Sequence, residues 1–339
     1  MQPPDFERSS MTVRRPVGLG GIVLSISLLL TIAIYTHNLQ PNLLPKINKL
    51  IASSHNSPSP TPTITCTTSQ HITGDSTVSI TSSGLKRSLL IHLAPSYGKQ
   101  PEALVINYHG YNFTAEKMAR YSNMAAEADK AGFILVFPQG LDNPPSWNAG
   151  IGAQGPTGDA DDIQFTRDML GFLEKTYCVD SHRIYVTGFS LGGGMAYRVA
   201  CMLSKQVAAI ATVAGAFYHV PGGCQPSRPV PVLEIHGQAD EFAPYTGNPN
   251  MGMAAVQVYL NAWFDHDQCS ESSQVIFQQG DVTGIAWKHC ANGSVVEHYR
   301  ISDGGHTWPG GGIIATLGYT THVIDANAVI WNFFSRYST

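Results

Sequence analysis

The 339-residue sequence is poor in charge: Asp, Glu, Lys and Arg supply 13% of it and the net charge is −4. That charged share is roughly half of what soluble domains usually carry. No run or stripe of Lys and Arg is present, so the electrostatic footprint of a nucleic-acid binder is missing. No Cys-x-x-Cys pair and no His-Glu-x-x-His motif occurs, which leaves neither a zinc site nor a thiol redox centre to argue for; no metal and no cofactor is expected. No internal repeat is visible, and no second domain boundary follows residue 65. Low charge with abundant Gly, Ser, Thr and Asn suits an enzyme working outside the cell.

The N-terminal 65 residues have their own logic. Val17 to Tyr35 is uncharged, rich in Leu and Ile, and preceded by Arg8, Arg14 and Arg15. A positive flank before an apolar segment of that length reads as a secretory signal peptide or an uncleaved signal anchor over residues 1–35, with the anchor preferred because no small-x-small cleavage site is obvious. Met11 offers an alternative start. Residues 36–65, with Ser57-Pro58-Ser59-Pro60-Thr61-Pro62-Thr63, read as an extended linker that cannot bury a core. A globular domain is expected over 66–339, outside the cytoplasm, either secreted or held at the outer face of the membrane by the N-terminal segment alone.

Six cysteines, Cys66, Cys178, Cys201, Cys224, Cys269 and Cys290, fit that compartment. Sequence leaves fifteen pairings open. Cys269 with Cys290 is the preferred pair because the two flank one strand-and-turn unit; Cys201 with Cys224 is the second choice, and Cys66 with Cys178 would then remain.

From Ser88 onward, β-branched runs alternate with helix-like segments, which predicts a mostly parallel sheet with helices on both faces. Strands are expected at 88–93, 103–108, 133–137, 183–187, 208–213, 230–236, 285–289 and 295–301, and helices at 114–130, 161–177, 193–203, 253–266 and 325–336. The chemistry sits at the junctions. Gly188-Phe189-Ser190-Leu191-Gly192 joins a strand to a helix, and a Ser between glycines at such a turn is a nucleophile elbow. The bland alternative is a Gly-rich turn whose Ser caps the helix.

A serine nucleophile needs an orienting acid and a base, which in this arrangement follow it in chain order. Asp240, after the strand ending at Ile235, takes the acid position, with Asp303 and Glu241 as rivals. His306, in Asp303-Gly304-Gly305-His306-Thr307-Trp308-Pro309-Gly310, takes that of the base. Oxyanion donors are expected from the backbone N–H of Leu191 and, in the loop His109-Gly110-Tyr111, of Tyr111. The side chain of His109 is read as shaping that loop. Trp147 and Trp308 are candidate aromatic walls for a sugar or phenolic group, a core role being as good a reading for Trp147. Asn112-Phe113-Thr114 and Asn292-Gly293-Ser294 match glycosylation sequons, the first too close to the oxyanion loop to be expected modified.

His109-Gly110, Gly188-x-Ser190-x-Gly192-Gly193, His236-Gly237-x-x-Asp240 and Gly304-Gly305-His306-x-Trp308-Pro309-Gly310 stand in an order that resembles secreted polyhydroxybutyrate depolymerase-like esterases of the LpqC type. The pattern is also similar to the feruloyl and acetylxylan esterases of carbohydrate esterase family 1. It spans Ser88 to Ser338, with Ser146-Trp147-Asn148 and Asp161-Asp162 as further landmarks. The resemblance implies an α/β-hydrolase fold in a single domain without a large cap. It also implies ester hydrolysis through an acyl-enzyme by Ser190, Asp240 and His306. The partner would be an ester-bearing polysaccharide or polyester, with no nucleic acid, and the enzyme a monomer. Tyr111 departs from the small residue often found after this His-Gly, which leaves the acyl group open. Two other classes compete: a surface-binding protein on a hydrolase scaffold, which would have lost a triad member, and a serine peptidase of the same fold, which would usually add a cap or propeller.

Overall fold

Alternation of apolar side chains along each run decides the architecture. Leu104 and Ile106 face one buried cluster and Val105 the other, as the two-residue strand period requires when helices cover both faces of a sheet. The computed structural model describes Cys66 and residues 72–339, except 154, 156–159 and 271. The apolar segment at 17–35 and the linker at 36–65 lie outside the described residues; among those described, no helix is long and apolar enough to cross a membrane.

The strands are β1 (Gly74–Ser82), β2 (Leu85–Leu93), β3 (Glu102–Tyr108), β4 (Ile134–Pro138), β5 (Val179–Phe189), β6 (Ala209–Val213), β7 (Val232–Gly237), β8 (Ser273–Gln279), β9 (Val282–Trp287) and β10 (Val296–Ile301). They form one sheet in the order β1-β2-β4-β3-β5-β6-β7-β10-β9-β8. The run from β4 to β10 is parallel. Antiparallel pairs close both edges. The polar, half-exposed strands β1 and β8 escape a reading based on apolar runs, because edge strands expose most of their side chains.

The helices are α1 (Ala115–Ser122), α2 (Ala125–Ala131), α3 (Asp162–Thr176), α4 (Leu191–Leu203), α5 (Val256–His266) and α6 (Ala326–Phe334). The single helix expected at 114–130 is two. Asn123 takes a φ of 52° and its N–H caps Ala119, and Asn tolerates the left-handed conformation that ends a helix. α3, α4 and α5 contribute to one buried layer and α1, α2 and α6 to the other. Disulfides join Cys66 to Cys178, Cys201 to Cys224 and Cys269 to Cys290.

Candidate active site

β5 runs into α4 through Ser190, whose φ of 57° and ψ of −121° lie in a region L-residues rarely occupy. Such backbone persists only where its surroundings hold it. Here Ser190 N–H donates to Val213 O at 3.0 Å, and its own carbonyl accepts from Ala216 N–H at 3.0 Å. A Cβ at Gly188 would collide with the carbonyl of Gly192, and one at Gly192 with the carbonyl of Tyr108. These two positions need glycine for space, so the turn can press against the end of β3.

The candidate acid and base come from neighbouring strand ends. β7 and β10 run parallel, so the segments leaving them meet at the same edge of the sheet. Gln238 N–H donates to Ile301 O at 2.8 Å and Ala239 N–H to Gly304 O at 2.9 Å. That zipper brings Asp240 to His306, with His306 Nδ1 and Asp240 Oδ2 at 2.7 Å, both side chains buried. The other Asp240 oxygen accepts from the backbone N–H groups of Phe242 and Ala243, at 2.9 and 2.8 Å. Burial works against the Asp240 charge, but hydrogen bonds from His236 and His306 outweigh it and hold the carboxyl well below the usual carboxylate range. Asp303 and Glu241 instead line a separate depression beside this loop.

The His306 ring packs against Phe189 and Phe242, with centroids 4.7 and 5.4 Å away. Ser190 and His306 share a cleft of about 450 Å³ lined by Tyr111, Phe113, Phe189, Leu191, Tyr218, Phe242 and Met253 among others. Among the described residues the serine hydroxyl and the imidazole make no direct hydrogen bond, and in hydrolytic sites such contacts often tighten only with substrate. Tyr111 lines the cleft with 40% of its surface exposed. Its backbone N–H and that of Leu191 donate to no other group among the described residues.

His109 is buried behind this loop. Its Nε2 accepts from Gly140 N–H at 2.9 Å, so Nδ1 carries the proton and donates to Gly110 O at 2.8 Å. Burial lowers its pKa to about 4, and the ring stays neutral.

Neither tryptophan walls the cleft. Trp147 is fully buried, donates from Nε1 to His109 O at 2.8 Å and packs edge-on against Tyr108. Trp308 is also fully buried, with Nε1 bonded to Asn327 Oδ1 at 3.0 Å. An indole with its N–H satisfied inside the protein braces the 109–111 and 306–310 loops from behind, so Trp308 is no wall for a sugar or phenolic group and Trp147 takes the core role that was its alternative reading. The aromatic surface on the cleft belongs to Tyr111, Phe113, Phe189, Tyr218 and Phe242. Of these, Phe189 and Phe242 were legible as neighbours of Ser190 and Asp240, but nothing in sequence aims them at the base.

A family model described as Phospholipase/Carboxylesterase matches residues 94–274. The chain is 31% identical over 266 residues to "Putative esterase NocK" of Nocardia uniformis subsp. tsuyamanensis, covering 72% of this chain and 75% of that protein. It is 38% identical over 155 residues to Feruloyl esterase B of Piromyces equi, covering 44% of this chain but 28% of the longer relative. Among solved structures, an acetyl xylan esterase from Aspergillus awamori superposes with a TM-score of 0.56 at 14% identity, covering 77% of this chain and 99% of that one, which shows a shared fold. The chain therefore belongs to the phospholipase/carboxylesterase family of α/β-hydrolases and is a carboxylic ester hydrolase.

Proposed function

We propose that this esterase works outside the cytoplasm and releases hydroxycinnamoyl groups such as ferulate from plant cell-wall polysaccharide, with Ser190 as nucleophile, His306 as base and Asp240 as its orienting acid. The observation that carries the substrate class is the cleft. Its volume of about 450 Å³ and its aromatic lining exceed what an acetyl group would fill, and suit a planar phenolic acyl group. The name of the 38%-identical relative, Feruloyl esterase B, supports the same class. Acetylated xylan and hydroxyalkanoate polyesters are the competing substrates. Three disulfides support an oxidising compartment.

In this reading His306 Nε2 takes the Ser190 proton as the hydroxyl oxygen attacks the ester carbonyl. The N–H groups of Leu191 and Tyr111 receive the oxyanion, Leu191 from the positive end of α4. Collapse returns the proton from His306 to the leaving sugar oxygen and leaves an acyl-serine. Water, deprotonated by the same ring, then releases the acid. Asp240 holds the ring with Nδ1–H toward itself, so that Nε2 faces the cleft.

The test is a panel of methyl ferulate, p-nitrophenyl acetate, acetylated xylan and hydroxybutyrate oligomers, each with the native chain and with Ser190→Ala. Higher kcat/KM on methyl ferulate than on the acetyl and hydroxybutyrate substrates, lost in Ser190→Ala, is expected. Preference for acetylated xylan or the oligomers would overturn the substrate class. Activity surviving in Ser190→Ala would overturn the mechanism.

A further inference from the structure

Behind Asp240 lies a second acid–base pair that the reaction as described does not use. Glu234 and His236 are two residues apart on β7, so their side chains leave the strand on the same face. Both are buried. His236 Nδ1 meets Glu234 Oε1 at 2.7 Å, and His236 Nε2 donates to Ala243 O at 2.8 Å. The same Nε2 lies 3.5 Å from Asp240 Oδ2, the oxygen that holds His306. Glu234 is itself anchored: Thr212 Oγ1 donates to its other oxygen, and the Gly215 N–H donates to the carboxylate.

Two features make this more than a buried ion pair in a core. An apolar pair of the same volume would serve stability as well or better. And the bond by which the pair reaches outward, from His236 Nε2, ends on the turn that presents Asp240. His236 grips that turn at Ala243, the residue whose N–H also holds Asp240 Oδ1 at 2.8 Å. With one carboxylate oxygen fixed by Phe242 and Ala243, Oδ2 has a single direction left, toward His306.

We propose that Glu234 and His236 are positioning residues for ester hydrolysis, fixing the 240–243 turn so that Asp240 Oδ2 meets His306 Nδ1 and setting a positive charge beside that contact. The role rests on Ser190, His306 and Asp240 acting as the triad. With Glu234 ionised, the imidazolium satisfies both ring contacts, each nitrogen donating; burial raises the pKa of Glu234 itself to about 7. Burial alone would strip the ring's proton, but the carboxylates of Asp240 and Glu234 outweigh burial and raise the ring's pKa to about 10. The other groups facing the ring are Tyr245 from the following loop and His298 from β10, with Arg300 farther along that strand. Burial lowers the pKa of His298 to about 3, so it adds no second positive charge.

Three variants separate positioning from plain structural support. In His236→Asn, the amide nitrogen stands near the Nδ1 position and can keep Glu234 satisfied, while the bond to Ala243 is lost. The double variant Glu234→Gln/His236→Gln leaves no lone buried carboxylate, and its longer amide reaches the Nε2 position and restores the bond to Ala243. Glu234→Gln alone keeps the ring in place but removes one of the two carboxylates that hold its charge. With p-nitrophenyl acetate, His236→Asn is expected to lose about 10- to 100-fold in kcat at little-changed KM, the scale of a small misplacement of a reacting group, and the double variant to recover most of it. For Glu234→Gln, loss of a nearby cation is expected to move the acid limb of kcat/KM to higher pH. Activity is normalised to the fraction of Ser190 that a covalent serine reagent titrates. Native kcat in His236→Asn, or losses that vanish on this normalisation, would overturn the positioning role; so would an unmoved acid limb in Glu234→Gln together with no recovery in the double variant. Ser190→Ala, run alongside, separates the cases: activity surviving there would sink the triad itself, and the pair's role with it.

Discussion

The hydroxyl of Tyr121 accepts a hydrogen bond from the backbone N–H of Trp308 at 3.1 Å, across 187 residues of sequence. The carbonyl of Tyr121 accepts another from Gly312 N–H at 2.7 Å. One residue of α1 therefore ties down the segment that leaves His306. Tyr121→Phe removes the acceptor and strands a buried N–H, a change that costs about 1–3 kcal/mol. A lower melting temperature is expected, together with a kcat that falls several-fold while KM holds. An unchanged melting temperature would show that the loop is anchored elsewhere.

Much of this site was legible in sequence because its parts obey short-range rules. The glycines around Ser190 report steric demands within a few residues, and the chain order of serine, acid and base follows from which strands lead into which loops. The same local signals gave the core strands and located α3 and α4. What sequence could not provide is direction over long separations. Trp147 and Trp308 look like ligand-binding aromatics in loops, yet their fate depends on acceptors at His109 and Asn327 that only the packed structure brings into reach. Glu234 reads as an ordinary residue in an apolar strand, and its pairing with His236 depends on Thr212 and Gly215 from the adjacent β6 segment. Edge strands β1 and β8 stayed invisible because exposure leaves their composition polar.

Asp240 and its rivals separate cleanly by substitution. Asp240 carries the hydrogen bond to His306, whereas Asp303 and Glu241 line a neighbouring depression. Asp240→Asn keeps the shape of the turn but favours the wrong imidazole tautomer, and in serine hydrolases such a change lowers kcat by on the order of 10⁴-fold. Asp303→Asn and Glu241→Gln are expected to stay within a few-fold of the native rate. A collapse in either of those, with Asp240→Asn active, would reassign the acid.

The disulfides should rank by the chain they close. Cys201–Cys224 spans 23 residues and Cys66–Cys178 spans 112. In the chain-entropy picture, closing such loops restricts the unfolded chain by about 3 and about 5 kcal/mol respectively. Replacing both cysteines of a pair by serine should therefore lower unfolding free energy more for Cys66–Cys178, as read from denaturant titration. The opposite ranking would mean that local packing, not loop closure, sets their contribution.

Acid should weaken the fold through two buried neutral imidazoles. His109 accepts a hydrogen bond from Gly140 and has its pKa lowered to about 4 by burial; for His298, burial and the nearby His236 lower it to about 3. In the unfolded chain both rings would take a proton near pH 6.5. Between that pH and the folded values, the unfolded state binds more protons than the native state, so stability falls as pH drops through this window. Each ring contributes a slope of up to about 1.4 kcal/mol per pH unit. His109→Gln offers Gly140 an amide oxygen in place of Nε2 and cannot be protonated. Its unfolding free energy should therefore decline less steeply than that of the native chain between about pH 6.5 and pH 4. Parallel curves for the two proteins would show that His109 is already protonated in the native state, contrary to its hydrogen bond from Gly140.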